Sequence, residues 1–304
     1  MTEAAADAHR TWPWPASPFD FFETTRLLRT GCNDPTVRRQ PDGLWRTTQT
    51  DAGPATVRLL ARPGQEIEAL AWGEGAAQAV DRVPAWLGID RDPPTVPSHP
   101  AVDRIRREHA GVRLNDTGDA FEALVNITLQ QLVTWNEAAF NWRRLVETFG
   151  TTAPGPMPLR LPPTAQSLRR ADPDRIAALG IHRQQANTLR EIAFAATALQ
   201  RALRLPTGEA ASLLQQVRGV GPWTSAMALG MRLGRPEPLV SGDLHLPHTV
   251  SWALAGEPRG SQARMAELLA PFDGVAFYIV RLLYAARIEA PRRRPKRELR
   301  FGRV

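Results

Sequence analysis

Cysteine and lysine are all but missing from this 304-residue chain, which holds one of each, Cys32 and Lys296. A single cysteine excludes an intrachain disulfide, a cysteine-ligated iron–sulfur cluster and a cysteine-type zinc site. Redox chemistry is therefore not expected. Long apolar runs are lacking too. The N-terminal stretch is broken by Pro13, Pro15 and Pro18 and nothing approaches membrane-spanning length, so neither a signal peptide nor a membrane span is expected. The cytoplasm is the expected compartment.

What is present is arginine. The net charge of +7 and the isoelectric point near 10.8 come almost wholly from it. Guanidinium forks match phosphate oxygens, so a polyanion is the natural partner, although arginine in place of lysine can also reflect genome composition. Much of the charge lies in the last fourteen residues, where Arg292, Arg293, Arg294, Lys296, Arg297, Arg300 and Arg303 face only Glu298. Such a tail reads first as a solvated end rather than a specific reader, and it would add salt-sensitive affinity for a polyanion such as DNA. The 43% hydrophobic and 23% charged content is that of a soluble globular protein able to bury one large core or two smaller ones.

The chain changes character near residue 95. Before it, Leu44 to Thr50, Ala55 to Ala61 and Glu66 to Trp72 read as short strands of an antiparallel sheet, with helices at Phe19 to Leu28 and Ala76 to Leu87 to cover it. The proline-rich run from Asp92 to Pro100 reads as a linker. Beyond it the periodicity is helical: Asp119 with Glu122 forms a capping-box pattern, Trp135 to Phe149 and Arg183 to Leu203 are amphipathic, and Asp172-Pro173 opens a short helix that Gly180 stops. Pro222 to Leu233, Leu244 to Leu254, Ser261 to Leu269 and Gly274 to Arg287 supply the remaining helices. The expected fold is mainly α, with a small α+β domain over residues 1–95, helical domains over 96–290 and a basic tail over 291–304.

The most informative passage is Gly219-Val220-Gly221-Pro222-Trp223-Thr224, followed by a lone carboxylate at Asp243. Leu213, Leu214 and Val217 have the spacing of one apolar helix face, Gly219 ends that helix where a positive φ is wanted, and Pro222 suits the first turn of another. The result is a helix-hairpin-helix, whose second helix offers open N–H groups to an anion. Taken alone, Asp243 reads more readily as an N-cap before Leu244. His245 and His248, close to that aspartate, suggest a zinc site by spacing alone; the resemblance given below implies a phosphate contact for His245 instead, and no metal is expected.

These residues carry a resemblance. The run Leu214 to Thr224 with Val240-Ser241-Gly242-Asp243-Leu244-His245 resembles the helix-hairpin-helix/GPD superfamily of DNA glycosylases, and within it the bacterial 3-methyladenine DNA glycosylase II branch. The likeness extends through Asp119 to Glu122, Gln131-Leu132-Val133, Asp172-Pro173, Leu179-Gly180 and Pro271-Phe272, and loosely to Trp12-Pro13-Trp14. It implies a base-excision enzyme acting on duplex DNA. Asp243 matches the catalytic aspartate, which would stabilise the oxocarbenium-like sugar as the base departs. Gly219, Val220, Gly221, Trp223, Thr224 and His245 would grip the backbone. Leu132, otherwise a core leucine by its pattern, would be the wedge that fills the gap left by a flipped base. Trp223, Met227, Phe272, Trp12 and Trp14 would line the base pocket, with Met227 replacing the aromatic residue of close relatives. Bifunctional relatives place a lysine where Trp223 stands, so hydrolysis without strand cleavage is implied. A monovalent cation at the hairpin is the one cofactor candidate, and a monomer is expected. A noncatalytic DNA-binding module would need Gly219 and Gly221 but not Asp243 or Leu132, and a nucleoside hydrolase would need the carboxylate but not the hairpin. The lesion, whether 3-methyladenine, hypoxanthine or a bulkier adduct, stays open.

Overall fold

A computed structural model describes residues 5–291; the basic tail beyond them, with Lys296, lies outside the described residues. Near the N-terminus, strands β1 (Ala8–Pro13), β2 (Val37–Gln40), β3 (Gly43–Thr50), β4 (Gly53–Arg62) and β5 (Glu66–Trp72) form one antiparallel sheet in the order β1-β5-β4-β3-β2. Alternation decides which side chains go where. Ala55, Val57 and Leu59 of β4 and Ile67, Ala69 and Ala71 of β5 are all wholly buried, and these two strands pair with Val57 opposite Ala71. Helices α1 (Phe21–Thr25), α2 (Ala76–Asp81) and α3 (Val83–Leu87) contribute to the same cluster. A second, smaller cluster joins Trp45 and Trp72, stacked with centroids 5.2 Å apart, to Ala153, Leu159 and Leu161.

The three expected strands are present within two residues of their limits. The two edge strands, β1 and β2, were not expected. Their alternation is poor, and β1 ends in Pro13, which an edge tolerates because one side of its ladder faces solvent. The helix expected over Ala76 to Leu87 is two helices, since Pro84 in the first turn of α3 has no N–H to continue the ladder. The helix expected from Phe19 begins at Phe21, because the Asp20 carboxylate accepts from the Glu23 N–H.

The rest is helical: α4 (Pro100–Glu108), α5 (Ala120–Thr128), α6 (Trp135–Phe149), α7 (Ala165–Arg170), α8 (Pro173–Ala177), α9 (Arg183–Leu199), α10 (Thr207–Leu214), α11 (Pro222–Met227), α12 (Leu246–Ala255), α13 (Gln262–Leu269) and α14 (Ala276–Ala285). Every residue of α5 except Glu122 is buried, and the helix packs on α9 and α11. Among the described residues no single helix is long and apolar enough to cross a membrane. Asp119 caps α5 by accepting from the Phe121 and Glu122 N–H groups, but Glu122 does not close a capping box. It accepts instead from Arg46 of β3 at 3.0 Å, a guanidinium buried over the Trp86 ring. The helix expected over Pro222 to Leu233 widens after α11 into one π turn, Ala228–Arg232, where Gly230 lies so close to Phe277 that an added Cβ would meet ring carbon at 2.2 Å.

Buried polar contacts tie the sheet segment to the helices. The Asp34 carboxylate accepts from Thr30 N, Thr36 N, the Thr36 hydroxyl and the Trp142 indole of α6, while burial pushes its carboxyl up. Arg281 of α14 donates to the Glu23 side chain at 3.3 Å and to the Glu23 carbonyl at 2.7 Å. Arg26 donates to the same carboxylate and to the Tyr284 carbonyl.

Candidate active site

Helix α10 ends at Leu214, five residues before the glycine expected to stop it, and the connection to α11 runs through Gly219 and Gly221. Gly219 has φ +90°, and a Cβ there would stand 2.0 Å from the Thr188 hydroxyl oxygen of α9. Backbone conformation and space both demand glycine. Gly219→Ala is accordingly expected to cost about 1–3 kcal/mol, read as a lower denaturation midpoint, because it adds left-handed strain to an overpacked contact. An unchanged midpoint would show that Thr188 yields freely. Gly221 differs: it is extended, and nothing lies within 4 Å of where its Cβ would be. Its backbone is open to close approach by a ligand. Val220 and Thr224 do not face solvent. Val220 is buried and its N–H donates to the Val217 carbonyl; Thr224 is buried and its hydroxyl accepts from Gln131 at 2.7 Å. These side chains anchor the hairpin, so any grip on a ligand falls to the backbone.

Asp243 follows Gly242, whose φ is +82°. One carboxylate oxygen accepts from the His245 and Leu246 N–H groups, each at 2.8 Å, and the other accepts from the Trp223 indole N–H at 2.9 Å. Gln262 clamps the backbone by accepting from Gly242 N and donating to the Asp243 carbonyl. The capping reading of Asp243 is seen directly. The capping contact moves the start of α12 to Leu246, two residues later than expected, while the side chain stays partly exposed. Burial, and secondarily the Asp243 charge, push the Tyr284 phenol well above its ordinary range, so it is neutral beside the carboxylate.

Leu132 is 84% exposed and has φ +57°. A core role is ruled out. A bulky residue in the left-handed region costs about 1–2 kcal/mol, so the surroundings must hold it there. They do so with two amides. Gln131 donates to the Gly219 carbonyl and the Thr224 hydroxyl, and buried Gln185 of α9 donates to the Thr128 and Gln131 carbonyls. The loop bearing Leu132 is thus bonded to the hairpin.

The expected base pocket is only partly assembled. Trp223 is half-buried and touches Asp243, but Phe272 is 1% exposed with its ring edge toward His99, and Met227 is 3% exposed. Both are core residues, because the one-turn helix carrying Phe272 and the buried face of α11 turn inward. Trp12 and Trp14 pack on the sheet cluster, with Trp14 against Phe19 at 5.2 Å, rather than with the hairpin. His245 is exposed, whereas His248 accepts from Gly260 N through Nδ1, so the two histidines do not form a pair. No group of three or more metal-ligating side chains occurs among the described residues. Sequence reading missed Leu244, 74% exposed beside Asp243, along with Tyr284, Gln185 and Gln262. An apolar residue directly after the aspartate was the one signal available.

A glycine hairpin bonded to an exposed apolar loop and followed by a fixed aspartate defines a helix-hairpin-helix protein with a candidate catalytic carboxylate. The model of the HhH-GPD superfamily base excision DNA repair proteins matches residues 125–272. It is 32% identical to DNA-3-methyladenine glycosylase 2 of Escherichia coli strain K12 over 127 residues. That stretch is 41% of this chain and spans 45% of the relative, less than half its length. The 3-methyladenine DNA-glycosylase of Archaeoglobus fulgidus superposes with a TM-score of 0.77 at 18% identity, covering 90% of this chain and 97% of that one. An 8-oxoguanine glycosylase/lyase of Clostridium acetobutylicum, bound to double-stranded DNA, gives 0.67 at 12% identity, covering 92% and 97%. At such identities these two likenesses establish a shared fold.

Proposed function

We propose that this protein is a monofunctional DNA glycosylase that removes alkylated purines of the 3-methyladenine type from duplex DNA. The observation that carries this reading is the indole N–H of Trp223, in the first turn after the hairpin, bonded to the Asp243 carboxylate. A phosphate held at the open backbone of Gly221 places a sugar near that carboxylate, which is a positioning effect. As the C1′–N bond breaks, its electron pair leaves with the base and positive charge grows on the sugar. In this reading the Asp243 carboxylate stabilises this charge. Water then bonds to C1′ and gives up a proton, for which the carboxylate is the available base, leaving an abasic site. Trp223 has no amine with which to form a Schiff base, so the strand is not cut. The lesion class follows the name of the Escherichia coli relative. A monomer working in the cytoplasm on the nucleoid completes the reading; a monovalent cation, if bound, would be held at the hairpin around Gly219–Gly221 and would add positive charge for a phosphate.

The test is single-turnover incubation with duplexes carrying alkylated or deaminated purines, split between neutral and alkaline quenching. Free base with breaks only after alkali is expected. Breaks without alkali would overturn the monofunctional assignment, and binding without base release from any lesion would favour a noncatalytic module.

A further inference from the structure

The loop after α5 carries a second exposed side chain that base extrusion at Leu132 does not use. Trp135, three residues on, is 46% exposed at the first position of α6. Four of the nine tryptophans, Trp45, Trp72, Trp86 and Trp142, are buried. Exposed Phe140 and Phe194 are each covered by a guanidinium, from Arg144 and Arg190, whereas no ring or guanidinium stacks on Trp135 among the described residues. The backbone that carries this indole is nevertheless fixed. Thr134 and Glu137 close a reciprocal capping box around it, and the loop before it is bonded to the hairpin through Gln131. Trp135 is thus exposed three residues from Leu132, on a loop bonded to the hairpin that contains Gly221.

When a nucleotide leaves the stack, its former partner loses both a pairing edge and a stacking neighbour. Leu132 is narrower than a base pair and covers only part of that gap. We propose that Trp135 stacks on the base opposite the lesion, so that the loop engages both strands: Leu132 fills the vacated position and Trp135 covers the orphaned partner. This rests on the glycosylase reading for its substrate, but not on catalysis for its test. Base–aromatic stacking is worth about 1–3 kcal/mol, so removing the ring should weaken binding about fivefold to a hundredfold.

The experiment uses duplexes with a tetrahydrofuran abasic analogue opposite 2-aminopurine, and the full-length wild type, Trp135→Ala, Trp135→Phe and Leu132→Ala. Wild type and Trp135→Phe are expected to change the 2-aminopurine emission, and Trp135→Ala is expected to abolish the change and weaken binding. The loss should disappear when the opposite position is also abasic, which a folding defect would not reproduce. Equal loss on both duplexes, no loss on either, or failure of the wild type to bind would overturn the assignment. Emission changes without base release from any lesion duplex would sink the glycosylase reading alone and leave Trp135 in place.

Discussion

Asp243→Asn is expected to slow single-turnover base release by about a hundredfold to a thousandfold while leaving the affinity for duplex DNA nearly unchanged. The magnitude is that of removing one preorganised electrostatic contact from a developing charge. The variant is well suited to the question because asparagine retains one oxygen to accept from the His245 and Leu246 N–H groups, so α12 still starts in place. What it loses is the negative charge, and its amide NH2 then faces the Trp223 indole N–H, donor against donor. Release rates equal to wild type on any processed lesion would show that the carboxylate is only a cap. A thermal melt run beside the kinetics separates lost chemistry from lost fold.

Glu23→Ala is expected to lower stability by about 3–5 kcal/mol, the range seen when one partner of a buried ion pair is removed. Arg281 is wholly buried, and burial pulls its guanidinium down to about 10, which still leaves it cationic at neutral pH. Without Glu23 that charge would keep only backbone and hydrogen-bonding support, and Arg26 would lose the same partner. The double variant Glu23→Leu/Arg281→Met removes both charges and should recover much of the loss. Urea denaturation of the single and double variants gives the comparison. A single-variant loss below about 1 kcal/mol would place the stabilisation elsewhere.

Much of the molecule was legible from residue order. The central strands declared themselves through alternation, α6 matched its expected span from Trp135 to Phe149, and the hairpin and its aspartate were recognisable from spacing and residue type. What escaped depended on distant partners. Nothing local shows that Glu122 would turn from its own helix to Arg46, or that Phe277 would press on Gly230 and open a π turn. The pocket was misjudged for a related reason. Phe272 and Met227 have the residue types of a base slot, but whether a helix turns such a side chain toward a cleft or toward the core depends on its packing angle, which spacing does not encode. Leu132 shows the converse: its helical pattern suggests a core leucine, the family resemblance suggests an exposed one, and it is exposed.

The polar ties between sheet and helices bear on how this molecule can be inherited and cut. Arg46 reaches Glu122, Asp34 receives the Trp142 indole, and the Thr47 hydroxyl donates to the Arg160 carbonyl, so the first hundred residues and the remainder hold each other's buried polar atoms. A helical fragment grafted elsewhere, or expressed without its sheet, would carry bare donors and acceptors on a face no longer covered. Exchange between relatives should therefore succeed with both segments moved as one, and changes on either side of the seam should be tolerated chiefly when matched by changes on the other.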